Sequence, residues 1–218
     1  MKLAIFNGSP RQKKSNSTIL IQKFIEGYND HITDNIDIHY LANISKMSEN
    51  VEAFREADSV IIIFPLYTDA MPGQVKLFFE NIVNIDSKGK KVGFIVQSGF
   101  PEAHHSSFVE RYLIKLSERM GWNHLGVVIK GGVEGMQIMP PSWTKKLFGD
   151  FRELGRYFAS TGKFKAEIVK KLRTPYRLSK LRLISFKAFD KLGLNDFYWN
   201  KNLKENNAFE KRFDRPYI

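Results

Sequence analysis

Cysteine is absent from the chain. That single absence excludes disulfides, Cys-ligated zinc, iron–sulfur clusters and thiol nucleophiles together. Long apolar runs are missing too: none approaches the ~20 residues that a membrane-spanning helix needs. The opening residues MKLAIFNGSP carry only a short apolar stretch before a polar turn. A secretory signal needs a longer one, so a cytoplasmic location is expected. Internal repeats and low-complexity segments are also lacking. Acidic side chains are scarce: 23 Asp and Glu stand against 34 Lys and Arg, a net charge of +11.

That charge is unevenly spread. Residues 1–162 carry 19 basic and 17 acidic side chains, whereas residues 163–218 carry 15 and 6. The basic character therefore belongs to the last quarter of the chain, and the first 162 residues read as a nearly neutral globular domain.

Hydrophobic patterning divides that domain into alternating strands and helices. Residues 2–6 form an apolar run that ends in the turn Asn7-Gly8-Ser9-Pro10, and residues 36–40 alternate as a half-buried strand does. Residues 59–64, SVIIIF, form a continuous β-branched run of the kind covered on both faces of a parallel sheet. Residues 92–96 and 125–129 repeat the signal. Helical periodicity fills the gaps from about Ser17, over 50–56, from Pro72 to about Val83, over 104–120, and from about Ser142 to Ser160. In the fourth of these, Phe108, Tyr112, Leu116 and Met120 recur at four-residue steps. Five alternations predict a three-layer α/β sandwich with a five-stranded parallel sheet in the flavodoxin-like order 2-1-3-4-5.

In such a sheet, ligands bind beyond the carboxyl ends of the strands where the strand order reverses. Three loops leave that edge. The first, residues 8–18, crowds Ser15, Asn16, Ser17 and Thr18 at the entry to a helix. Unpaired N–H groups and the positive end of the dipole make such an entry an anion cradle, although a helix cap alone needs only one of these residues. The spacing matches neither a Walker A loop nor GxGxxG, which disfavours ATP and a Rossmann-bound dinucleotide. The second loop, Pro65 to Gly73, offers an aromatic ring, a methionine and two prolines, a flat apolar surface suited to a planar ring. The third, Gln97 to Glu102, adds Gly99 for close backbone approach and Phe100 for edge contact.

With these residues assembled, the sequence resembles the NADPH-dependent FMN reductases of the flavodoxin-like group. The likeness rests on Gly8-Ser9-Pro10-Arg11 with Ser15-Asn16-Ser17, on Pro65-Leu66-Tyr67 with Met71-Pro72-Gly73, and on Ser98-Gly99-Phe100. It covers roughly residues 1–160. The resemblance implies that Ser9, Arg11, Ser15, Asn16, Ser17 and Thr18 hold the FMN phosphate. It implies that Pro65, Leu66, Tyr67, Met71, Ser98, Gly99 and Phe100 contact the isoalloxazine ring. It further implies NAD(P)H as electron donor, a small acceptor (quinone, nitroaromatic or free flavin) and a homodimer, to which the loop 131–136 is a candidate contributor. No side chain is nominated as an obligatory catalytic acid, since a flavin takes hydride at its own N5 atom. Tyr67, Glu102 and His104 are the polar groups expected near the open ring face. A flavodoxin-type electron carrier is the competing reading, and the basic charge argues against it. Metal binding by His104 and His105 is not expected, because adjacent residues on a helix point apart.

Residues 163–218 fall outside the resemblance. Leu178, Leu181, Ile184, Ala188 and Leu192 line one helical face with Phe189 adjoining, and Lys180, Lys187 and Lys191 stand mostly opposite. Phe197, Tyr198, Trp199, Phe209, Phe213 and Tyr217 follow, too many aromatics for a disordered tail. The expectation is a basic amphipathic helix and aromatic strap packed on the domain or on a partner subunit. Contact with a membrane surface is the second possibility. Nucleic acid is not expected, for no binding motif accompanies the charge.

Overall fold

A computed structural model describes residues 2–32, 36–191 and 196–215. Five strands form one parallel sheet: β1 (Leu3–Asn7), β2 (Ile38–Tyr40), β3 (Ser59–Pro65), β4 (Lys91–Gln97) and β5 (Asn123–Lys130). Their order is β2-β1-β3-β4-β5, as the alternation predicts, and the chain reverses direction across the sheet between β1 and β3.

The sheet sorts its side chains by the two-residue period of a strand. Ala4, Phe6, Val60, Ile62, Phe64, Phe94 and Val96 enter one core, under α2 (Met47–Glu56), α3 (Gly73–Ile82) and α4 (Ser107–Arg119). Leu3, Ile5, Ile61, Ile63, Ile95 and Val128 enter the other, under α1 (Asn16–Tyr28), α5 (Pro141–Thr161) and α6 (Ala166–Leu172). Every residue of β3 is buried, which is why its sequence reads as an unbroken apolar run rather than an alternating one.

The first compact unit runs from Met1 to Arg177. Phe164 and Leu172 are buried in the α1–α5 core, and the main chain of Ala103 and His104 donates to the carbonyls of Pro175 and Tyr176 at 3.0 and 3.1 Å. Apolar anchors and backbone bonds thus carry the domain past the point where the charge changes. On α4 the Phe108 and Tyr112 rings are 63% and 49% exposed, while Val109 and Leu113 are buried.

The second unit, Leu178–Ile218, contains α7 (Lys180–Lys191) and α8 (Phe197–Glu205). Leu181 and Ile184 of α7 are exposed. Arg212 lies over the rings of both Phe209 and Phe213, 3.9 and 4.6 Å from their centroids. Leu192 and Tyr217, and the side chains of Phe189, Lys191, Phe197 and Tyr198, lie outside the described residues. No described helix is long and apolar enough to cross a membrane.

Candidate functional site

The loops after β1, β3 and β4 leave the same sheet edge from neighbouring strands. Pro65 pairs with Gln97 in the ladder, and the Leu66 N–H donates to the Gln97 carbonyl at 2.7 Å, so the second and third loops start side by side. The Gly8 N–H donates to the Ile63 carbonyl at 2.7 Å and brings the first loop to the same place. Gly8 is required there: a Cβ on it would lie 2.2 Å from Val75 of α3.

The first loop is organised from below by Asn7, the fully buried last residue of β1. Its Oδ1 accepts from the Ser9 N–H at 2.9 Å, and its Nδ2 donates to Thr18 Oγ1 at 2.9 Å and to Ser15 Oγ at 3.3 Å. Ser15 caps α1, accepting from the Thr18 N–H at 3.2 Å. The hydroxyls of Ser15 and Thr18 both give their protons to the Gln12 carbonyl, at 2.6 and 2.8 Å. Gln12 sits in the left-handed region at φ 47°, a strained setting for a residue with a side chain. Ser17 is buried and accepts from Gln97 Nε2 at 3.4 Å. Asn16 donates to the Val133 carbonyl at 2.9 Å, while its buried Oδ1 has no hydrogen-bond partner.

Ser9, Ser15, Asn16, Ser17 and Thr18 are therefore gathered at the first turn of α1, all buried. Two of their hydroxyl protons are committed within the loop. Arg11 alone of the six first-loop residues projects into solvent, 4.0 Å from Glu134. Loop 131–136 also packs on its own chain, through Val133 on Asn16 and through Glu134 against Gly99, where a Cβ would meet Glu134 Cβ at 3.2 Å.

In the second loop Pro65 and Leu66 are buried, Met71 is half-buried and Tyr67 is 44% exposed. Tyr67 and Ala70 exchange backbone hydrogen bonds across Thr68 and Asp69. Both turn residues have positive φ, 48° and 58°, as a type I′ turn demands. Such turns favour Asn-Gly, and the Thr-Asp pair pays ~1 kcal/mol or more in strain. In the third loop Ser98 is buried and donates to the Phe100 carbonyl at 3.1 Å, while Phe100 is 50% exposed. The edge thus presents two exposed aromatic rings, Tyr67 and Phe100, beside a helix N-terminus and the solvent-facing Arg11 guanidinium, paired loosely with Glu134. A flat aromatic anion suits that combination.

Sequence reasoning missed Asn7 and Gln97, which support the loops from the strand ends. The available signal was a polar residue closing an otherwise apolar strand. It also missed the arrangement of His104 and His105. These residues lie on a 3-10 turn, Ala103–Ser106, with ring centroids 4.1 Å apart, rather than diverging on an α-helix. Two cavities flank the edge. One of about 390 Å³ lies between the first loop and β2, lined by Gln12, Lys13, His39 and Tyr40 among others. The other, of about 280 Å³, opens past β5 beside Lys130, Met136, Trp143 and Asp150. Burial pushes the Lys130 ammonium below the usual lysine range, and the Asp150 carboxylate offsets part of that.

A family model described as the flavodoxin-like fold matches residues 1–145, a span that includes all three loops. The chain belongs to that family. No curated protein matches the sequence. Among solved structures, this flavodoxin-like chain is similar to an FMN-dependent NADH-azoreductase from Bacillus anthracis in complex with FMN. That match has 18% identity and a TM-score of 0.54, and covers 73% of this chain and 100% of the other. An NADPH-quinone reductase from P. pentosaceus matches with 16% identity and a TM-score of 0.55, over 70% of this chain and 96% of its own. General stress protein 14 from Treponema denticola, in complex with FMN, matches with 15% identity and a TM-score of 0.56, over 72% and 99%. At these identities the likeness establishes the shared fold.

Proposed function

We propose that the chain is an FMN-dependent NAD(P)H oxidoreductase acting on a small acceptor such as a quinone, a nitroaromatic or free flavin. The observation that carries this reading is the pair of exposed rings, Tyr67 and Phe100, set on adjacent loops beside the first turn of α1 and Arg11. Two of the similar structures are described as complexes with FMN, which supports the choice of ring.

FMN held here would supply the redox chemistry, hydride exchange between NAD(P)H and the acceptor. The chain's own part is to bind and orient. The first-turn N–H groups of α1 and the Arg11 guanidinium hold the phosphate, with Ser9 and Ser17 at the same turn. Asn16 Oδ1, buried without a partner, would accept a hydrogen bond from a cofactor hydroxyl. Ser15 and Thr18 donate to the phosphate only once the Gln12 carbonyl has left them; the strained φ of Gln12 makes that loop the element to rearrange. Pro65, Leu66, Tyr67 and Met71 form one wall for the ring, and Ser98, Gly99 and Phe100 the other. A homodimer belongs to this reading, and light scattering decides it.

Comparing FMN with riboflavin tests the assignment. Removing the phosphate should weaken binding by ~100-fold or more, since charge-assisted bonds are each worth about 1.5–3 kcal/mol. Equal affinity for the two would overturn it.

A further inference from the structure

Just beyond Phe100, three residues bring metal-ligating atoms together. Glu102, His104 and His105 each offer one such atom within 4.8 Å of the other two. Glu102 Oε2 lies 3.8 Å from His104 Nδ1 and 3.6 Å from His105 Nε2. Both separations are too long for a hydrogen bond. They are close to what a metal imposes, since bonds of ~2.0–2.2 Å at tetrahedral angles set ligand atoms about 3.3–3.5 Å apart. His104 Nδ1 is also buried with no hydrogen-bond partner. A ring nitrogen shut away from water in that state is unsatisfied, and an ion between it and the carboxylate would satisfy it.

The surroundings fix the rings as a ligand site requires. His105 turns its second nitrogen, Nδ1, toward Asp69 Oδ1 at 3.9 Å. That separation is longer than a hydrogen bond; drawn in to Nδ1, the carboxylate would favour the tautomer with the proton there and leave Nε2 bare for a metal. Asp69 is presented by the strained Thr68-Asp69 turn. Phe100 stacks on the His105 ring with centroids 4.5 Å apart, and Tyr176 packs edge-on to His104 at 6.2 Å. The backbone of His104 is pinned by its 3.1 Å bond to the Tyr176 carbonyl.

We propose that Glu102, His104 and His105 bind one divalent transition-metal ion, with Asp69 orienting His105 from behind. Two imidazoles and a carboxylate suit Zn²⁺, Co²⁺ or Ni²⁺, whereas Mg²⁺ and Ca²⁺ seek oxygen-only sets. Three protein ligands leave a position for water or an oxygen-bearing ligand, the arrangement of open rather than purely structural zinc sites. The three side chains are 21–30% exposed, so the ion enters from solvent. Through Asp69 the site ties the second loop to the third. It stands whether or not the chain binds a flavin.

Metal titration of the full chain, stripped by chelator and desalted, tests the site. Calorimetry with Zn²⁺ and visible ligand-field spectra with Co²⁺ should both give one ion per chain. Glu102→Gln and His105→Asn should each abolish binding over the same concentrations, and Asp69→Asn should weaken it on the order of 10–100-fold. His31→Asn should change nothing. Circular dichroism identifies a variant that fails to fold; in that event, ring NMR of the unaltered chain replaces it. Zn²⁺ should then move the His104 and His105 signals before those of His31, His39 or His124. Lack of saturable binding, binding that survives both ligand substitutions, or earlier shifts at the other histidines would overturn the proposal.

Discussion

Asn7 Nδ2, at the last position of β1, donates a 2.9 Å hydrogen bond to Thr18 Oγ1 in the first turn of α1. The same amide accepts from the Ser9 N–H and reaches Ser15, so one buried side chain sets the path of the whole first loop. Asn7→Ala should strand these partners in a dry site and cost ~2–3 kcal/mol, through two or more lost bonds to buried groups. It should also weaken FMN binding more than tenfold. Urea unfolding and flavin titration read the two effects.

Tyr67 and Phe100 are exposed in the chain alone, and substituting them should leave its stability within about 0.5 kcal/mol. Each change to Ala should nevertheless lower FMN affinity ~10-fold, as loss of an aromatic contact with a ring does. Thermal unfolding without flavin, set beside fluorescence titration with it, separates binding from folding.

Helices α1 and α5 cross at glycines. A Cβ on Gly27 would lie 1.8 Å from the Arg152 carbonyl oxygen, and one on Gly155 would lie 1.9 Å from that of Phe24. Gly155→Ala raises helix propensity by about 1 kcal/mol, yet should destabilise the protein by at least ~2 kcal/mol, because backbone rather than a flexible side chain must move. Denaturant unfolding measures the net sign.

Burial lowers the pKa of His39 and of His124 below the ordinary imidazole value of 6.5. Between each lowered value and 6.5 the unfolded chain binds more protons than the folded one, so stability rises with pH there and levels off above it. His124 gains its proton at the expense of burial beside Phe94 and a 3.1 Å contact with Ser117 Oγ, and His39 at the expense of burial against Phe6. Unfolding free energies at about pH 5 and about pH 7.5 should differ in that direction, and His39→Gln with His124→Gln should flatten the difference.

How much of this was legible beforehand follows from the periodicities. The unbroken run of β3 and the polar crowd from Ser15 to Thr18 mark a doubly covered strand and a helix entry without further information. On α4, Phe108 and Tyr112 face solvent, with Arg111 over the Phe108 ring at 4.8 Å, while the buried residues Val109, Leu113 and Ser117 keep the same four-residue step one position round the helix, so spacing alone does not say which line is buried. The adjacent histidines lie in a short 3-10 turn entered from the extended Glu102, and their ring centroids are 4.1 Å apart, a proximity that depends on side-chain rotamers that the sequence does not carry. Composition and packing report different things near residue 162: the charge changes there, while Phe164 and Leu172 are buried in the core beyond it.

The measurement that bears most directly on the functional claim is the visible absorption spectrum of the purified chain with FMN, before and after NADPH is added without oxygen. The account predicts retained flavin bands near ~370 and ~450 nm that bleach promptly with the nicotinamide. Flavin that washes away, or bands that fade only with dithionite, would contradict it.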